Sequence, residues 1–466
     1  MLRASTTHDP LARPIDLSPL AAHLSGALLE PESEGYDQAR LIWNLVHDRR
    51  PAAIVQAADV DDVRRAVHFA RDTGIEIAVR SGGHSLAGFS TGDGVLVIDL
   101  RGLRGLHIDP ETRMVVAGAG LTAGEVTSAL AAHDLAIPFG DTASVGIAGL
   151  TLGGGIGYLT RKFGLAIDRV RSMEVVTANG DFITASVDQN PDLYWALRGG
   201  GGNFGIVTRF AYEAVPLGET LAGALFLPLT AEVLRGVQSI AAAAPEELTV
   251  IVDIVPAPEA PFIPAESVGT PIAIVLLVYA GDPAEGQTIV DRFRSLARPI
   301  ADLVAPMPYP GIYEFSAEAE TPAPAIVRSM FTDALDDAAI ERIVARMSES
   351  DGPMVKFTQL RVLGGAMGRV PADATAFAHR GAQVLFGVYT IFVDPTRIEQ
   401  DLQWTDAYFA DVSPAATGVY VNFLDTAGDA LVQQAYPDAT YRRLAEVKAR
   451  WDPENLFNGN HNIRPG

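Results

Sequence analysis

Cysteine is absent from the 466-residue chain. Its absence excludes disulfides, thiolate metal sites, cysteine nucleophiles and any link to a cofactor through sulfur. Positive charge is also scarce, because 35 Lys and Arg stand against 57 Asp and Glu and leave a net charge of −22. A chain with this charge repels nucleic-acid phosphates and anionic membrane surfaces. We therefore expect neither a nucleic acid nor a membrane as a partner.

Long hydrophobic runs and metal-ligand patterns are missing as well. The first thirty residues contain no apolar run after a basic start, so no secretory signal is predicted and a cytoplasmic location is expected. The uncharged stretch at residues 142–160 has about the length of a membrane helix but contains six glycines, which predicts a folded loop. The nine histidines lack zinc-site spacing, so no metal is expected.

The pattern of the chain changes near residues 217 and 417. Its length predicts two or three domains, and 48% hydrophobic with 20% charged residues is typical of a globular protein. In the first part, the pattern predicts strands at 75–79, 95–100, 114–117 and 173–177 and helices at 59–73 and 123–133. In the middle part, it predicts strands at 222–229, 248–255, 272–279 and 384–393, helices at 284–297 and 336–349, and loops at 255–264 and 305–310.

Two common motifs occur in the wrong structural context. Residues 88–92 match G-x-S-x-G around Ser90, but a hydrolase nucleophile needs a helix directly after the serine, and a strand is predicted there instead. Residues 118–124 resemble a dinucleotide-binding turn between a strand and a helix, with a spacing that differs by one residue and no acid-ended strand after it. Residues 88–92 are therefore interpreted as a simple turn. A Rossmann dinucleotide site at residues 118–124 is kept as an alternative.

Two glycine-rich loops carry the strongest signal. The sequence RSGGHSLAG at residues 80–88 follows a predicted strand and places His84 among glycines. The sequence GDTASVGIAGLTLGGGIG at residues 140–157 contains seven glycines beside the hydroxyls of Thr142 and Ser144. Small residues leave backbone N–H groups free to surround a phosphate chain and let a planar ring approach closely. The pair of loops therefore predicts one large bound anion, held from two sides.

The same residues belong to a longer set of motifs. These are RSGGHS (80–85), GGGIGYLTRKFGLAID (153–168), DLYWALRGGGGNFGIV (192–207), LGGAMGRV (363–370), TAFAHR (375–380) and DPENLFNGNHNI (452–463). Together they resemble the berberine-bridge-enzyme-like FAD-linked oxidases of the vanillyl-alcohol-oxidase group, from near Tyr36 to the C-terminus. The resemblance implies an α+β fold. A two-subdomain PCMH-type FAD-binding domain would comprise 1–216 and 417–466, and a substrate domain of antiparallel sheet backed by helices would comprise 217–416.

The resemblance also implies how FAD is held. The family bonds the 8α carbon of the flavin to the histidine that matches His84, and many members add a cysteine link at the position of Thr142. A chain without cysteine can form only the histidyl link. The loops and the resemblance predict further cofactor contacts at Arg80, Ser81, Gly82, Gly83, Ser85, Gly88, Asp141, Thr142, Ser144, Val145, Gly146, Gly149, Gly153, Gly154, Gly157, Gly205, Ile206, Val207, Tyr420, Asn422, Asn460 and Asn462.

The activity implied is hydride transfer from an alcohol or amine carbon of a small organic molecule, followed by reoxidation with O2 that yields H2O2. In the family, the residue that matches Val145 lies beside the reactive edge of the flavin, and a small side chain there accompanies oxidase behaviour, so the resemblance implies O2 as acceptor. A dehydrogenase or reductase that uses another acceptor is one alternative. A non-catalytic binder that kept the flavin fold is the other. The sequence predicts neither the substrate nor the oligomeric state.

The sequence offers several candidates for the catalytic base. Family members often have tyrosines at the positions of Ile156 and Phe423, where this chain lacks both hydroxyls. Tyr389, Tyr420 and Gln359 are the remaining candidates. Tyrosine is a poor base at neutral pH, so Tyr389 would need a cationic neighbour such as Arg361 to lower its pKa. Without an ionisable base, an amine substrate is more plausible than an alcohol.

Overall fold

A computed structural model describes residues 15–349 and 355–466. The helices are α1 (Ser18–Ala21), α2 (Tyr36–Arg40), α3 (Val60–Thr73), α4 (Ala123–Ala131), α5 (Ile147–Gly153), α6 (Thr160–Phe163), α7 (Ala166–Arg169), α8 (Pro191–Leu197), α9 (Ala231–Ala243), α10 (Pro283–Arg294), α11 (Asp337–Ser348), α12 (Ala366–Arg369), α13 (Ile398–Val412), α14 (Asp429–Ala435) and α15 (Asp438–Trp451). None of these helices combines the length and the apolar character needed to cross a membrane.

The strands of the described residues form four sheets. They are β1 (Ala27–Leu29), β2 (Ala53–Gln56), β3 (Ile77–Arg80), β4 (Leu96–Asp99), β5 (Leu106–Asp109), β6 (Met114–Gly118), β7 (Leu135–Ala136), β8 (Val170–Val176), β9 (Phe182–Ser186), β10 (Ile206–Glu213), β11 (Val215–Pro216), β12 (Thr220–Pro228), β13 (Leu248–Pro256), β14 (Pro271–Tyr279), β15 (Ala301–Asp302), β16 (Ala305–Met307), β17 (Ala325–Thr332), β18 (Val355–Val362) and β19 (Val384–Ile391).

Two sheets build the first part of the protein. One has the order β1-β2-β4-β3, with β2, β4 and β3 parallel, and the other has the order β5-β6-β10-β8-β9 and is antiparallel. Helix α3 begins after Asp59, whose side chain accepts a hydrogen bond from the backbone N–H of Asp62 and so caps the helix. Val63 and Val67 of this helix share one hydrophobic core with strands of both sheets. The first glycine-rich loop follows β3 of the parallel strands, and the second follows β7, which pairs with β11 in a separate two-stranded sheet.

The middle part forms an eight-stranded antiparallel sheet of order β15-β12-β14-β13-β18-β19-β17, with β16 also paired to β12. Successive side chains of β13 point to opposite faces of the sheet. Val250, Val252 and Ile254 pack with helices α9, α10, α11 and α13 in one core, whereas Ile251 belongs to a different core on the other face. Residue 253 shares that second face. The α+β prediction is confirmed, and the domain boundaries at 216/217 and 416/417 stay predictions.

Several local predictions are corrected by the structure. Residues 142–160 are not a continuous loop, because helix α5 lies within them and buries Ile147 and Leu150 at helical spacing despite the glycines. The Pro-rich stretch 305–310 begins with β16, where Pro306 is tolerated on a short strand at the sheet margin. The pattern also did not predict α9, α13 and β17.

The two rejected motifs are explained by their surroundings. The turn at residues 118–124 does connect β6 to α4, but β6 belongs to the antiparallel sheet and so cannot form the parallel βαβ unit of a Rossmann site. Ser90 is buried and is followed by β4 with no helix between them. The nucleophile-elbow geometry is therefore absent from this segment.

Candidate active site

The two glycine-rich loops touch at one point. A Cβ atom on Gly82 would overlap the backbone nitrogen of Gly146, and one on Gly146 would overlap the backbone nitrogen of Gly82. Ser81 donates a hydrogen bond from Oγ to the carbonyl of Ala119 at 2.7 Å, which anchors the first loop. Only glycine at both positions allows this approach. The sequence prediction that both loops serve one site is consistent with this contact.

Unpaired polar groups occur on the first glycine-rich loop and on the C-terminal segment 460–462, where the ring of His461 packs edge-on against Phe89. In the described part of the chain, the backbone N–H groups of residues 82–86 donate no hydrogen bond to the protein. A run of such donors after a strand suits the phosphates of a dinucleotide. The side-chain oxygens of Asn460 and Asn462 and Nδ1 of His461 are buried without a partner. Since buried polar groups are normally paired, these residues fit a bound cofactor with many hydrogen-bonding atoms.

His84 is held in one orientation at this junction. Its ring stacks on Trp43, with 5.8 Å between ring centroids and 22° between planes. Its Nε2 lies 3.2 Å from Oγ of Ser144 on the other loop. No hydrogen bond to Nδ1 is found in residues 15–349 or 355–466. Burial lowers the pKa of His84 to about 4, so the imidazole is neutral at physiological pH.

Other predicted contacts support the first loop through bonds within the protein. Arg80 is buried and donates to the carbonyls of Ala39 and Ser90, the latter at 3.1 Å. Ser85 accepts a hydrogen bond at Oγ from the backbone N–H of Phe89. The Trp43 backbone N–H donates to the carbonyl of Gly83 at 3.1 Å. Gly88 has a φ of +73° and packs on His47, so a side chain there would be strained and would overlap the imidazole.

The C-terminal part of the chain returns to the second loop. Asn422 donates from Nδ2 to the carbonyl of Leu150 at 3.1 Å and lies where a Cβ on Gly153 would be. The hydroxyl of Tyr420 accepts hydrogen bonds at 3.0 Å from the Gly155 N–H and from Nδ2 of Asn422. Burial raises the pKa of Tyr420 to about 12. Tyr420 is thus a fixed neutral group against the loop.

The remaining predicted cofactor residues lie on three segments. Thr142 and Val145 are half-buried on the loop before α5. A Cβ on Gly157 would overlap the carbonyl of Phe139, which ties the end of the second loop to its start. The other positions are Gly149 within α5, Gly154 directly after it, Gly205 just before β10, and Ile206 and Val207 at the buried start of β10.

A second polar group lies on the face of the large sheet opposite its helices. Asp253 pairs in register with Gln359, whose Nε2 donates to Oδ1 of Asp253 at 2.8 Å. Nε of Arg361 donates to Oε1 of Gln359 at 2.7 Å. The guanidinium of Arg361 also forms an ion pair with Asp141 of the second glycine loop at 2.7 Å. One chain of contacts therefore connects the sheet face to the cofactor loop.

Aromatic rings line the same face. Tyr389 stacks on Phe357, with 4.3 Å between centroids and 6° between planes. The guanidinium of Arg361 lies 4.8 Å from the ring centroid of Phe423. A Cβ on Gly387 would lie 2.7 Å from the ring of Tyr389, so glycine leaves room for this ring to lie across the strand. This face of the sheet therefore presents aromatic rings next to ionisable side chains.

The electrostatics bear on Tyr389 and add a residue that sequence reasoning missed. The pKa of Tyr389 is raised, because burial outweighs the nearby positive charge of Arg361. Arg361 therefore does not supply the lowered pKa that a Tyr389 base would need, and the role of Tyr389 stays a prediction. Burial also raises the pKa of Asp253 to about 6, against the lowering effects of Gln359 and Arg361. The available signal was one acidic residue in the otherwise apolar run of β13.

Three phenols extend this polar region and were also missed. Tyr313 donates to the carbonyl of Gly140 at 3.3 Å. Among the described residues, the buried hydroxyls of Tyr158 and Tyr309 and the buried Nη1 of Arg361 have no hydrogen-bond partner. Although burial alone would lower the pKa of Arg361, its carboxylate partner Asp141 raises it, so the guanidinium stays charged. A polar substrate bound beside this charged pair would supply hydrogen-bond partners for the unpaired buried donors and acceptors.

Comparisons with known proteins identify the family of the chain. The family model described as a FAD binding domain matches residues 51–186, and the one described as berberine and berberine like matches residues 419–464. The (R)-6-hydroxynicotine oxidase of Paenarthrobacter nicotinovorans is 31% identical over 96% of this chain and 99% of its own length. The xylooligosaccharide oxidase of Thermothelomyces thermophilus is 29% identical over 87% of this chain and 86% of its own length.

Solved structures show the same architecture. The 6-hydroxy-D-nicotine oxidase from Arthrobacter nicotinovorans superposes with a TM-score of 0.86, at 28% identity, over 97% of this chain and 100% of that one. The glucooligosaccharide oxidase of Acremonium strictum, which carries a 6-S-cysteinyl, 8α-N1-histidyl FAD, shares the fold with a TM-score of 0.85 at 23% identity, over 97% of this chain and 100% of that one. The chain therefore belongs to the berberine-bridge-enzyme-like family of FAD-linked oxidoreductases.

Proposed function

We propose that the protein is an oxidase whose FAD is attached by a single bond between the 8α carbon of the flavin and Nδ1 of His84. The observation that carries the proposal is the state of His84: a neutral imidazole, held at the loop junction, with Nδ1 unpaired in the described chain. A fold shared with an 8α-N1-histidyl flavoenzyme supports the same nitrogen. Because the chain has no cysteine and Thr142 occupies the position of the family's cysteine link, a second flavin bond through sulfur cannot form.

The chain's own groups would hold the cofactor from several sides. The free N–H groups of residues 82–86 would bind phosphate oxygens, and the amides of Asn460 and Asn462 would complete the polar contacts. When bound there, FAD would supply the hydride acceptor and the route for electrons to O2, with H2O2 as the product. Tyr420 and Asn422 keep the second loop in place rather than taking part in proton transfer.

Asp253 is proposed as the group that removes the proton from the substrate. Its carboxylate is the ionisable group on the sheet face whose pKa, about 6, lies near the operating pH of a general base. Gln359 positions it by donating to Oδ1. Tyr389 forms an aromatic wall with Phe357 and serves as binding surface. This division of roles replaces the tyrosine base expected from the sequence.

The charge balance of the face supports a basic amine as the substrate. Two carboxylates, Asp141 and Asp253, are balanced by one guanidinium, Arg361, which leaves one negative charge uncompensated above pH 6. A protonated amine restores neutrality and packs well on the ring faces of Phe357 and Tyr389. Asp253 then accepts the ammonium proton, and the free lone pair assists departure of the hydride from the adjacent carbon.

One set of measurements on the purified protein tests this proposal. Acid precipitation should leave the yellow colour in the pellet of wild type and not of His84→Ala, and a peptide containing His84 should carry the mass of FAD. Anaerobic mixing with paired amines and alcohols of equal carbon skeleton should bleach the flavin faster with the amines. Aeration should restore the colour within seconds and produce one H2O2 per substrate.

Each alternative has its own result. Colour that stays in the supernatant would overturn the covalent link. Reoxidation over minutes, with rapid reduction of an artificial acceptor, would make the protein a dehydrogenase. A flavin that no substrate bleaches would make it a binder that kept the fold.

A further inference from the structure

The imidazole of His84 makes one hydrogen bond in the described chain, and it crosses between the two glycine loops. Nε2 lies 3.2 Å from Oγ of Ser144, although the two residues are 60 positions apart. Trp43 covers one ring face, and its own position is fixed by the bond from its Nε1 to the carbonyl of Ala319 at 2.8 Å. The ring therefore has a defined orientation before any cofactor is attached.

The backbone keeps Ser144 in register with His84. His84 follows Gly82 by two residues, and Ser144 precedes Gly146 by two residues, so the contact between the glycines brings the two side chains face to face. Hydrogen bonds of 2.9 Å from the N–H groups of Gly124 and Ala123 reach the carbonyls on either side of Ser144. The serine thus belongs to a segment that is anchored at both flanking peptide groups.

A neutral imidazole carries its single proton on one of two nitrogens, and the partner of one nitrogen decides the state of the other. When Nε2–H donates to Oγ of Ser144, the lone pair lies on Nδ1 and can form a bond. In the opposite tautomer, Nδ1 carries the proton and cannot. Burial disfavours a positively charged ring, which makes the choice between the two neutral forms decisive.

We propose that Ser144 is the positioning residue for attachment of the flavin, because it accepts the hydrogen bond of Nε2–H and keeps the Nδ1 lone pair directed at the 8α carbon. This inference rests on the proposed histidyl link. As the Nδ1–C8α bond forms, the 8α carbon gives up a proton and the ring gains positive charge, which the Ser144 oxygen stabilises until the Nε2 proton leaves. The two electrons released are taken by O2, which becomes H2O2 with these two protons.

The attachment rate of apoprotein tests this role. Wild type, Ser144→Ala and Ser144→Thr are produced in a host starved of riboflavin, mixed with FAD in air, and quenched in acid at intervals. Protein-bound absorbance reports the covalent bond, and quenching of FAD fluorescence reports binding before it. Ser90→Ala is the matched control, because Ser90 lies near the same loop and its buried hydroxyl has no hydrogen-bond partner in the described chain.

Ser144→Ala should bind FAD normally and attach it about 10- to 100-fold more slowly, as expected for the loss of a hydrogen bond to a developing charge. Ser144→Thr, which keeps the hydroxyl, and Ser90→Ala should attach it at the wild-type rate. Equal rates for Ser144→Ala and wild type would overturn the role. Slow attachment by Ser144→Thr as well, or weak initial binding by Ser144→Ala, would show that Ser144 acts only through packing. Wild type that never attaches FAD would refute the histidyl link itself.

Discussion

Gln359 and Asp253 face each other on adjacent strands, and Nε2 of Gln359 donates to Oδ1 of Asp253 at 2.8 Å. The same glutamine accepts from Nε of Arg361, so one amide links a carboxyl to a guanidinium. The amide cannot titrate, and it orients the carboxyl without neutralising it. Gln359 therefore lies between Asp253, the proposed base, and the ion pair of Arg361 with Asp141.

The first prediction concerns Asp253→Asn. Removal of the carboxylate should lower the rate of anaerobic flavin reduction by about 10²- to 10⁴-fold, the usual contribution of a general base. Covalent flavin content should stay unchanged. Asp302→Asn, on the exposed end of the same sheet, is the control and should behave as wild type. A reduction rate within about twofold of wild type for Asp253→Asn would exclude the base role.

The pH dependence of reduction follows from the same carboxyl. Its pKa of about 6 means that the active carboxylate predominates above pH 6 and is lost as the pH falls below it. We expect the limiting rate of reduction to decrease about tenfold per pH unit well below pH 6 and to be flat in Asp253→Asn. Stopped-flow absorbance between pH 4.5 and 9 measures the profile. A wild-type inflection far from pH 6 would argue for another group.

The buried carboxylate of Asp253 should also lower the free energy of unfolding. Its pKa is raised from an ordinary 3.8 to about 6 on folding, so the folded state binds the proton more tightly and stability falls as pH rises through this window. At pH 8 the penalty is about 3 kcal/mol at most. Thermal unfolding should therefore show Asp253→Asn to be more stable than wild type at pH 8, with the difference vanishing towards pH 4. A stability advantage of the variant over wild type that is larger at pH 4 than at pH 8 would contradict this sign.

Tyr389→Phe should preserve catalysis. The pKa of Tyr389 is raised by burial, so the hydroxyl stays protonated and cannot accept a proton at neutral pH. Its 3.4 Å bond to Oε1 of Gln359 is long, and the stacking on Phe357 survives the change. We expect reduction within about threefold of wild type at all pH values. A loss of about a hundredfold or more would restore the tyrosine base.

Gly82→Ala should separate the two loops. Its Cβ would overlap the backbone of Gly146, and a backbone neighbour cannot move aside as a flexible side chain can. The variant should lose most of its FAD and melt several degrees lower. Gly105→Ala is the control, because the Cβ there meets open space. FAD content after gel filtration, together with circular dichroism melting, distinguishes the two variants.

The resemblance to the flavin oxidases puts Val145 beside the reactive edge of the flavin, so we expect the reaction with O2 to depend on this side chain. This side chain is half-buried beside Gly146 and packs against the core of the first part. Val145→Leu should slow reoxidation of the reduced flavin by about tenfold or more, because added bulk blocks the approach of a small gas molecule. Val145→Ala should reoxidise at least as fast as wild type. Equal rates for the leucine variant would remove Val145 from the path of O2.

Much of the fold was readable from pattern. The apolar runs of β12, β13, β14 and β19 and the helices α3 and α10 were predicted to within a few residues, because strong periodicity reflects burial of one face. Helix α5 was missed, since its glycines suggest a loop while its buried apolar residues decide the conformation. The short strand β16 was missed because proline is rare in strands except at margins such as this one.

The sequence by itself excluded a flavin link through cysteine, because no cysteine exists, and placed His84 among glycines able to approach a cofactor. Only the tertiary structure decided which distant groups share one environment. Asp141, Asp253 and Arg361 come from three separate segments, and β pairing with loop contact brings them together. Burial then raises the pKa of Asp253 and of Tyr389, and burial is a property of the folded surroundings rather than of any residue's neighbours in sequence.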